Sequence, residues 1–317
     1  MKRILALILV VLLAATCFVG CKPTTDTPEG GESQTPAGEK SKIYLITMDS
    51  MDQYWLGIDA GCKKAAAELN VDYVFNSPDV KDDAKQVECI NNAVADGANA
   101  ILIAANGPGV ASALKDAADK GVKIIYVDAP TDAFEALTTF ATDNQAAGKT
   151  AGEEVKKALE AAGTTSGKIG IVSVNNATDS TVKRDAGFRS AFEGTEFELL
   201  ETQFCDGDAV KSKDAADNFI AQGCVALFGA NEGSAVGVGN AVKGATGTKP
   251  IAAGFDNSDA IKELIKDDSL LCTMAQNPDQ MGEKGMKAAV EAIAGTNPAE
   301  KNIDTGVTVI NKDNVDA

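Results

Sequence analysis

From residue 42 onward the chain alternates two kinds of apolar pattern. Ile43–Met48 is a nearly unbroken apolar run, which predicts a strand buried on both faces. The next segment sets Ile58, Cys62, Ala65, Ala66 and Leu69 along one face at helical spacing. Strand-like runs recur at Val71–Phe75, Ala100–Ala104, Val122–Val127, Lys168–Val174, Phe197–Phe204, Cys224–Phe228 and Pro250–Phe255. Helical patterns separate them, as at Asp83–Ala95, where Val87, Ile90 and Val94 fall in register. Continuous apolar strands alternating with amphipathic helices predict an α/β protein whose parallel sheets are covered on both faces.

One internal echo refines this. Residues 94–130 and 220–258 both run helix end, glycine, strand, asparagine-containing turn, helix, strand, and then Asp128 or Asp256 at the strand's C-terminal end. Two similar half-chains predict two similar doubly wound lobes. Ligands of such sheets sit at the C-terminal edges of the strands, where helix N-termini offer free N–H groups. Two lobes facing each other by those edges form a cleft lined from both sides.

The N-terminal segment differs in kind. Met1-Lys2-Arg3 is followed by an apolar run from Ile4 to Ala15, too short for a permanent span, which reads as a signal peptide over residues 1–20. Phe18-Val19-Gly20-Cys21 resembles a bacterial lipobox, which makes Cys21 the candidate for lipidation. Residues 21–41, rich in Thr, Pro, Gly, Glu and Ser, have almost nothing to bury and predict a disordered tether. The remaining cysteines, Cys62, Cys89, Cys205, Cys224 and Cys272, are odd in number and lack metal-knuckle spacing, so buried free thiols are expected.

Composition narrows the chemistry. The 317 residues contain no histidine, which removes Ser-His-Asp and Cys-His catalysis and His-ligated zinc. A net charge of −17 repels phosphate backbones and argues against a nucleic-acid partner. Gly148-Lys149-Thr150 lacks the upstream glycine of a phosphate loop, and Gly107-Pro108-Gly109 lacks the rest of a dinucleotide fingerprint. Asp206-Gly207-Asp208 lacks the further ligands of a calcium loop. Asp49 and Asp52 could mimic a glycosidase pair, but nothing marks either as a buried acid. No enzyme, metal or cofactor is expected.

Six short motifs remain: Asp52-Gln53-Tyr54-Trp55 followed by Gly61; Tyr126-Val127-Asp128; Arg184-Asp185-Ala186-Gly187-Phe188; Phe228-Gly229-Ala230-Asn231-Glu232; Gly254-Phe255-Asp256; and Ala275-Gln276-Asn277-Pro278-Asp279-Gln280. In this order and spacing, from about Ile43 to Lys312, the chain resembles the type I periplasmic binding proteins, in their ribose-binding-like sugar branch. The resemblance implies two doubly wound parallel-sheet lobes joined by a three-segment hinge, with crossovers near Thr142-Asp143, Gln276-Asn277 and Asp304-Thr305. The lobes would be residues 42–142 plus 277–304, and 143–276 plus 305–317. It further implies that Asp52, Tyr54, Trp55, Asp128, Arg184, Asn231, Asp256 and Gln276 contact ligand. Two positions depart from the pattern: Ala129 stands where an arginine often follows the strand-end aspartate, and Gly207 falls where ribose binders carry an aromatic ring.

These residue types suit a monosaccharide, a ring of hydroxyls with apolar C–H faces. Tyr54 and Trp55 offer flat surface, the three aspartates accept from vicinal hydroxyls, and Arg184, Asn231 and Gln276 donate. Alone, each aspartate reads as a helix cap or loop residue and Arg184 as a surface ion pair; six aligned positions reverse that reading. The function implied is that of an extracytoplasmic lipoprotein of an ABC sugar importer, anchored by lipid to the outer face of the bacterial cytoplasmic membrane. It would be a monomer that delivers a ribose-like pentose or a hexose to a permease with its ATPase subunit. The alternative is a sensor of a sugar, inositol or autoinducer-2-type ligand that reports to a membrane receptor.

Overall fold

The structure is a computed structural model that describes residues 40–50, 53–176 and 178–316. The signal-peptide, lipobox and tether expectations, including Cys21, lie outside the described residues, as does Asp52. No described helix is long and apolar enough to cross a membrane.

The first half of the chain runs β1 (Lys42–Ile46), α1 (Gln53–Leu69), β2 (Asp72–Phe75), α2 (Asp83–Ala95), β3 (Ala100–Ile103), α3 (Ala111–Asp119), β4 (Lys123–Val127) and β5 (Thr139–Ala141). The second repeats the scheme with α4 (Asn144–Ala161), β6 (Ser166–Ser173), α5 (Asp179–Ser190), β7 (Glu196–Leu199), β8 (Gln203–Phe204), α6 (Ala209–Ala221), β9 (Cys224–Gly229), α7 (Glu232–Gly244), β10 (Ile251–Phe255), α8 (Asp259–Lys266) and β11 (Cys272–Gln276). The chain ends with α9 (Pro278–Ile293), β12 (Asn302–Asp304) and β13 (Val307–Asn311).

Two sheets result. The first has the order β2-β1-β3-β4-β5-β12 and is parallel throughout. The second has the order β7-β6-β9-β10-β11-β13, with β8 added beside β6 and only the edge strand β13 antiparallel. Helices cover both faces of each, which explains the unbroken apolar runs. In β1, for example, Ile43 and Leu45 join one core cluster while Tyr44 and Ile46 join the cluster on the opposite face. The second sheet is likewise sandwiched between two clusters, one around Phe188, Phe228 and Phe255 and the other around Leu227, Val238 and Leu264. Each sheet with its helices forms one lobe.

The chain passes between the sheets three times: after β5 into α4, after β11 into α9, and between β12 and β13. The crossings are bonded to one another. Thr142 Oγ1 donates to Gln276 Oε1 (3.0 Å), the Asp143 N–H donates to Asp304 Oδ1 (2.9 Å), and Asn277 Nδ2 donates to the Thr305 carbonyl (3.0 Å).

In each lobe a helix that follows a crossing is pressed against a helix that begins at the rim. α9 lies on α1 so closely that a Cβ on Gly61 would come 2.0 Å from the Asp279 carbonyl oxygen, and one on Gly282 would come 2.2 Å from that of Ile58. α4 lies on α5 in the same manner: a Cβ on Gly148 would be 2.0 Å from the Arg184 oxygen, and one on Gly187 would be 2.0 Å from that of Gln145. Here a side chain of any size would force the helices apart.

The apolar run 197–204 departs from the single strand its pattern predicts. It splits into β7 and β8: the Leu200 N–H still donates to Ile169 O of β6 (2.9 Å), but the Leu200 carbonyl and Thr202 Oγ1 accept from Arg189 Nη2 (2.9 and 2.7 Å) instead of from a neighbouring strand. Cys62, Cys89, Cys205, Cys224 and Cys272 are all buried and unpaired. Burial pushes their thiols up, that of Cys224 to about 11 and that of Cys272 to about 12.

Candidate functional site: the cleft between the lobes

Asp128 and Asp256 occupy the same place in the two lobes. Each follows the fourth strand of its sheet, turns into the left-handed region (φ 63° and 73°), and donates its N–H to the neighbouring strand, to Phe140 O (2.8 Å) and Met274 O (3.0 Å) respectively. Aspartate tolerates this backbone better than most residues, and the reversal ends the strand with the carboxylate at the rim.

The two carboxylates belong to one chain of contacts. Tyr54, in the first turn of α1, donates its hydroxyl to Asp128 Oδ1 (2.8 Å), and the same oxygen approaches Gln276 Oε1 (3.3 Å). Gln276 ends β11 at the second crossing. Its Nε2 donates to Asp256 Oδ1 (2.7 Å), while the Glu232 N–H donates to Asp256 Oδ2 (3.2 Å). The rims of the lobes therefore meet at Tyr54 and Gln276. Burial foremost, and then the Asp128 and Asp256 charges, hold the Tyr54 hydroxyl well above the usual phenol range, so it stays protonated and able to donate.

Arg184 completes the cleft from α5. It is 5% exposed, with Cζ 3.6 Å above the centre of the Phe255 ring. Its Nε donates to Asn144 Oδ1 (2.8 Å) and its Nη1 to the Ala230 carbonyl (3.1 Å); Nη2 donates to no described residue. Burial lowers its pKa, and Asp256, Asp128 and Tyr54 oppose that. An arginine rarely loses its proton in a protein, so this is a buried cation facing two carboxylates. Such a surface can both donate to and accept from a small polar ligand.

The comparisons decide the family. A family model described as a periplasmic binding protein domain matches residues 43–297. The chain belongs to the periplasmic binding protein family. Among curated relatives, the ribose import binding protein RbsB of Escherichia coli is 26% identical over 303 residues, covering 93% of this chain and 94% of its own. Among solved structures, an ABC transporter solute-binding protein from Agrobacterium vitis, bound with α-D-tagatopyranose, is 28% identical with a TM-score of 0.75, covering 87% of this chain and 96% of that one. A carbohydrate transporter solute-binding protein from Agrobacterium radiobacter, in complex with D-arabinose, is 27% identical with a TM-score of 0.74, covering 88% and 97%. The architecture is that of the type I members: two α/β lobes with parallel-sheet cores. This is a family of sugar-binding transport proteins, and the chain is not an enzyme.

The expected site residues of this binding protein are placed unequally. Tyr54, Asp128, Arg184, Asp256 and Gln276 converge on the cleft. Asn231 stands at the start of α7 and uses its Oδ1 to cap that helix through the Ser234 N–H (3.3 Å). Its Nδ2 lies 3.0 Å from where a Cβ on Gly207 would sit, so the small residue at 207, with φ 73°, gives that amide room. Trp55 is buried at 4% exposure in the core of the first lobe. Its Nε1 donates to Asp49 Oδ2 (3.3 Å), and its ring meets Tyr54 edge-on at 5.1 Å. It backs Tyr54 rather than lining the cleft beside it, because successive helix residues point about 100° apart. Ala129, half-buried, packs on the first lobe's core.

Three neighbours of the cleft were not among the expected site residues. Thr142 reaches Gln276 from the first crossing, Phe255 faces Arg184, and Asn144 accepts from it. Phe255 stands in the motif before Asp256 and Thr142 at the expected first crossover, but nothing in a linear pattern says which way Asn144 or Thr142 turns.

Proposed function

We propose that this protein is an extracytoplasmic solute-binding lipoprotein of an ABC sugar importer, and that its cleft holds one monosaccharide, a pentose or a hexose. The observation that carries this is the run of contacts Asp128–Tyr54–Gln276–Asp256 beside the buried Arg184, which supplies acceptors and donors from both rims. The sugars named for its relatives, ribose, tagatose and arabinose, support the ligand class.

In this reading Asp128 and Asp256 accept from ring hydroxyls, Arg184, Asn231 and Gln276 donate, Tyr54 covers an apolar ring face with Trp55 behind it, and Asp52 joins from the loop before α1. Residues 42–142 plus 277–304 move as one lobe and 143–276 plus 305–317 as the other. Sugar binds an open form, and closure adds the second rim's hydrogen bonds and excludes water. Micromolar binding needs a net ~8 kcal/mol, and hydrogen bonds to charged groups contribute ~1.5–3 kcal/mol each before the cost of closure. Each lost hydroxyl leaves a buried charge unpaired, which makes rejection of epimers steep. Signal cleavage before Cys21 and lipidation of its thiol would hold the monomer at the outer face of the membrane, where the closed form meets the permease.

Isothermal titration against D-ribose, D-allose, D-arabinose, D-tagatose and myo-inositol tests this. Heat from at least one sugar is expected; silence from all would overturn the ligand class. Metabolic labelling with a radioactive fatty acid, lost in a Cys21→Ala variant, tests the anchor.

A further inference from the structure

Arg184 enters the cleft from a helix that cannot orient it alone, since a guanidinium on a long side chain has many rotamers to lose. Its position is set at two levels. At the backbone, α5 is pinned to α4 by the paired glycines: the Arg184 carbonyl lies against Gly148, and Gly187 lies against the Gln145 carbonyl. At the side chain, Asn144 Oδ1, on the first residue of α4, takes the Nε proton at 2.8 Å, while Ala230 O takes one from Nη1 and Phe255 underlies the plane. A planar fork held at Nε and Nη1 and resting on a ring has no rotational freedom left. Its Nη2 edge is the part with donors to spare among the described residues.

Asn144 is also part of the hinge. The residue before it, Asp143, caps α4 through the Gln145 and Ala146 N–H groups and donates its own N–H to Asp304 at the third crossing. The residue before that, Thr142, donates to Gln276 at the second. Three consecutive residues, 142 to 144, thus touch both other crossings and the cleft's buried cation.

We propose that Asn144 is a positioning residue: it fixes the Arg184 guanidinium so that its Nη2 edge faces ligand, and it ties that grip to the first crossing of the hinge. It touches no ligand itself. The binding half of this claim rests on the reading of the cleft as a sugar site, whereas the positioning half does not.

The test uses the isolated protein labelled with 15N. The chain has three arginines, Arg3, Arg184 and Arg189, so the side-chain Nε–H resonances are few enough to assign by substitution. Arg184 should give a slowly exchanging Nε–H signal that Asn144→Ala abolishes and Asn144→Asp, which keeps an acceptor in place, restores. A structural role alone would leave that proton protected. Titration with D-ribose, D-allose, D-arabinose and D-tagatose should show Asn144→Ala weakening whichever sugar binds by about tenfold, as loss of one hydrogen bond to a charged group implies. An unchanged Nε–H signal in Asn144→Ala, or an unchanged affinity where the parent protein binds a sugar, overturns the proposal. Heat from no sugar on the parent protein counts against the ligand class, and the resonance then decides the role of Asn144 by itself.

Discussion

The two lobes share a topology and differ in what they bring to their common cleft. Both place an aspartate in a left-handed turn after the fourth strand, bonded to the next strand of its own sheet, β5 or β11. In the first lobe that carboxylate is met by a phenol, Tyr54, and the next residue is Ala129; in the second it is met by an amide and a backbone N–H, with a buried guanidinium nearby. The repeat therefore preserved the acceptors and diverged in the donors. Among the described residues the first rim carries Tyr54 and Asp128 and the second carries Asp256, Gln276 and the buried Arg184, so in the proposed reading the second supplies more of the directional grip.

The glycine contacts give the strongest way to probe that asymmetry. Valine at Gly282 or at Gly187 should each cost about 3 kcal/mol, the upper end for overpacking, and lower the thermal midpoint by about 6–12 °C. Gly187→Val should also cripple sugar binding under conditions where the protein is still folded, because it displaces the helix that carries Arg184. Equal binding losses from both variants would erase the distinction between the lobes. Next in size, Arg184→Ala should weaken binding about a hundredfold, and Asp256→Ala and Asp128→Ala at least tenfold, by calorimetry with the fold intact. If Arg184→Ala and Asp256→Ala both bind as well as the parent, the cleft assignment fails.

Tyr54→Phe sharpens the comparison further. Removing the phenol takes its 2.8 Å donor from Asp128 Oδ1, and a fall in affinity of about tenfold is expected for one hydrogen bond to a charged group. The smallest effect concerns acid. Glu283 on α9 bonds Lys287 and Lys64, the latter on α1, and these partners hold its carboxyl down at about 2. A depressed carboxylate stabilises the fold above its ordinary value near 4.5, and that contribution fades as pH falls towards 2. The gap in thermal midpoint between the parent and Glu283→Gln should therefore close across that interval; a gap that persists at pH 2 would mean the ion pairs are not its source. Exposed pairs contribute little, so the gap will be small.

The strand cores and the strand-end aspartates were legible because they depend on local patterns: apolar continuity marks a covered strand, and Asp128 and Asp256 follow such runs directly. The motif Arg184-Asp185-Ala186-Gly187-Phe188 was legible as a motif, but its glycine makes sense only once Gln145 is seen 2.0 Å from where a Cβ would be. The short strands β5 and β12 were not legible, since three residues carry no period and their pairing joins positions far apart in the chain. Asn144 was hidden for the same reason: its meaning comes from a helix 40 residues away. Trp55 marks a limit of the linear pattern, because a pair of adjacent aromatics at a helix start does not tell which of them packs into the core.

The final crossing has a consequence for folding. β12 extends the first sheet beside β5, and β13 extends the second beside β11, and both follow α9 in the chain. Each of these strands pairs with a partner that lies before α9 in the chain. Neither sheet therefore reaches its full width by local pairing alone, and long-range pairing of this kind is the slow part of folding.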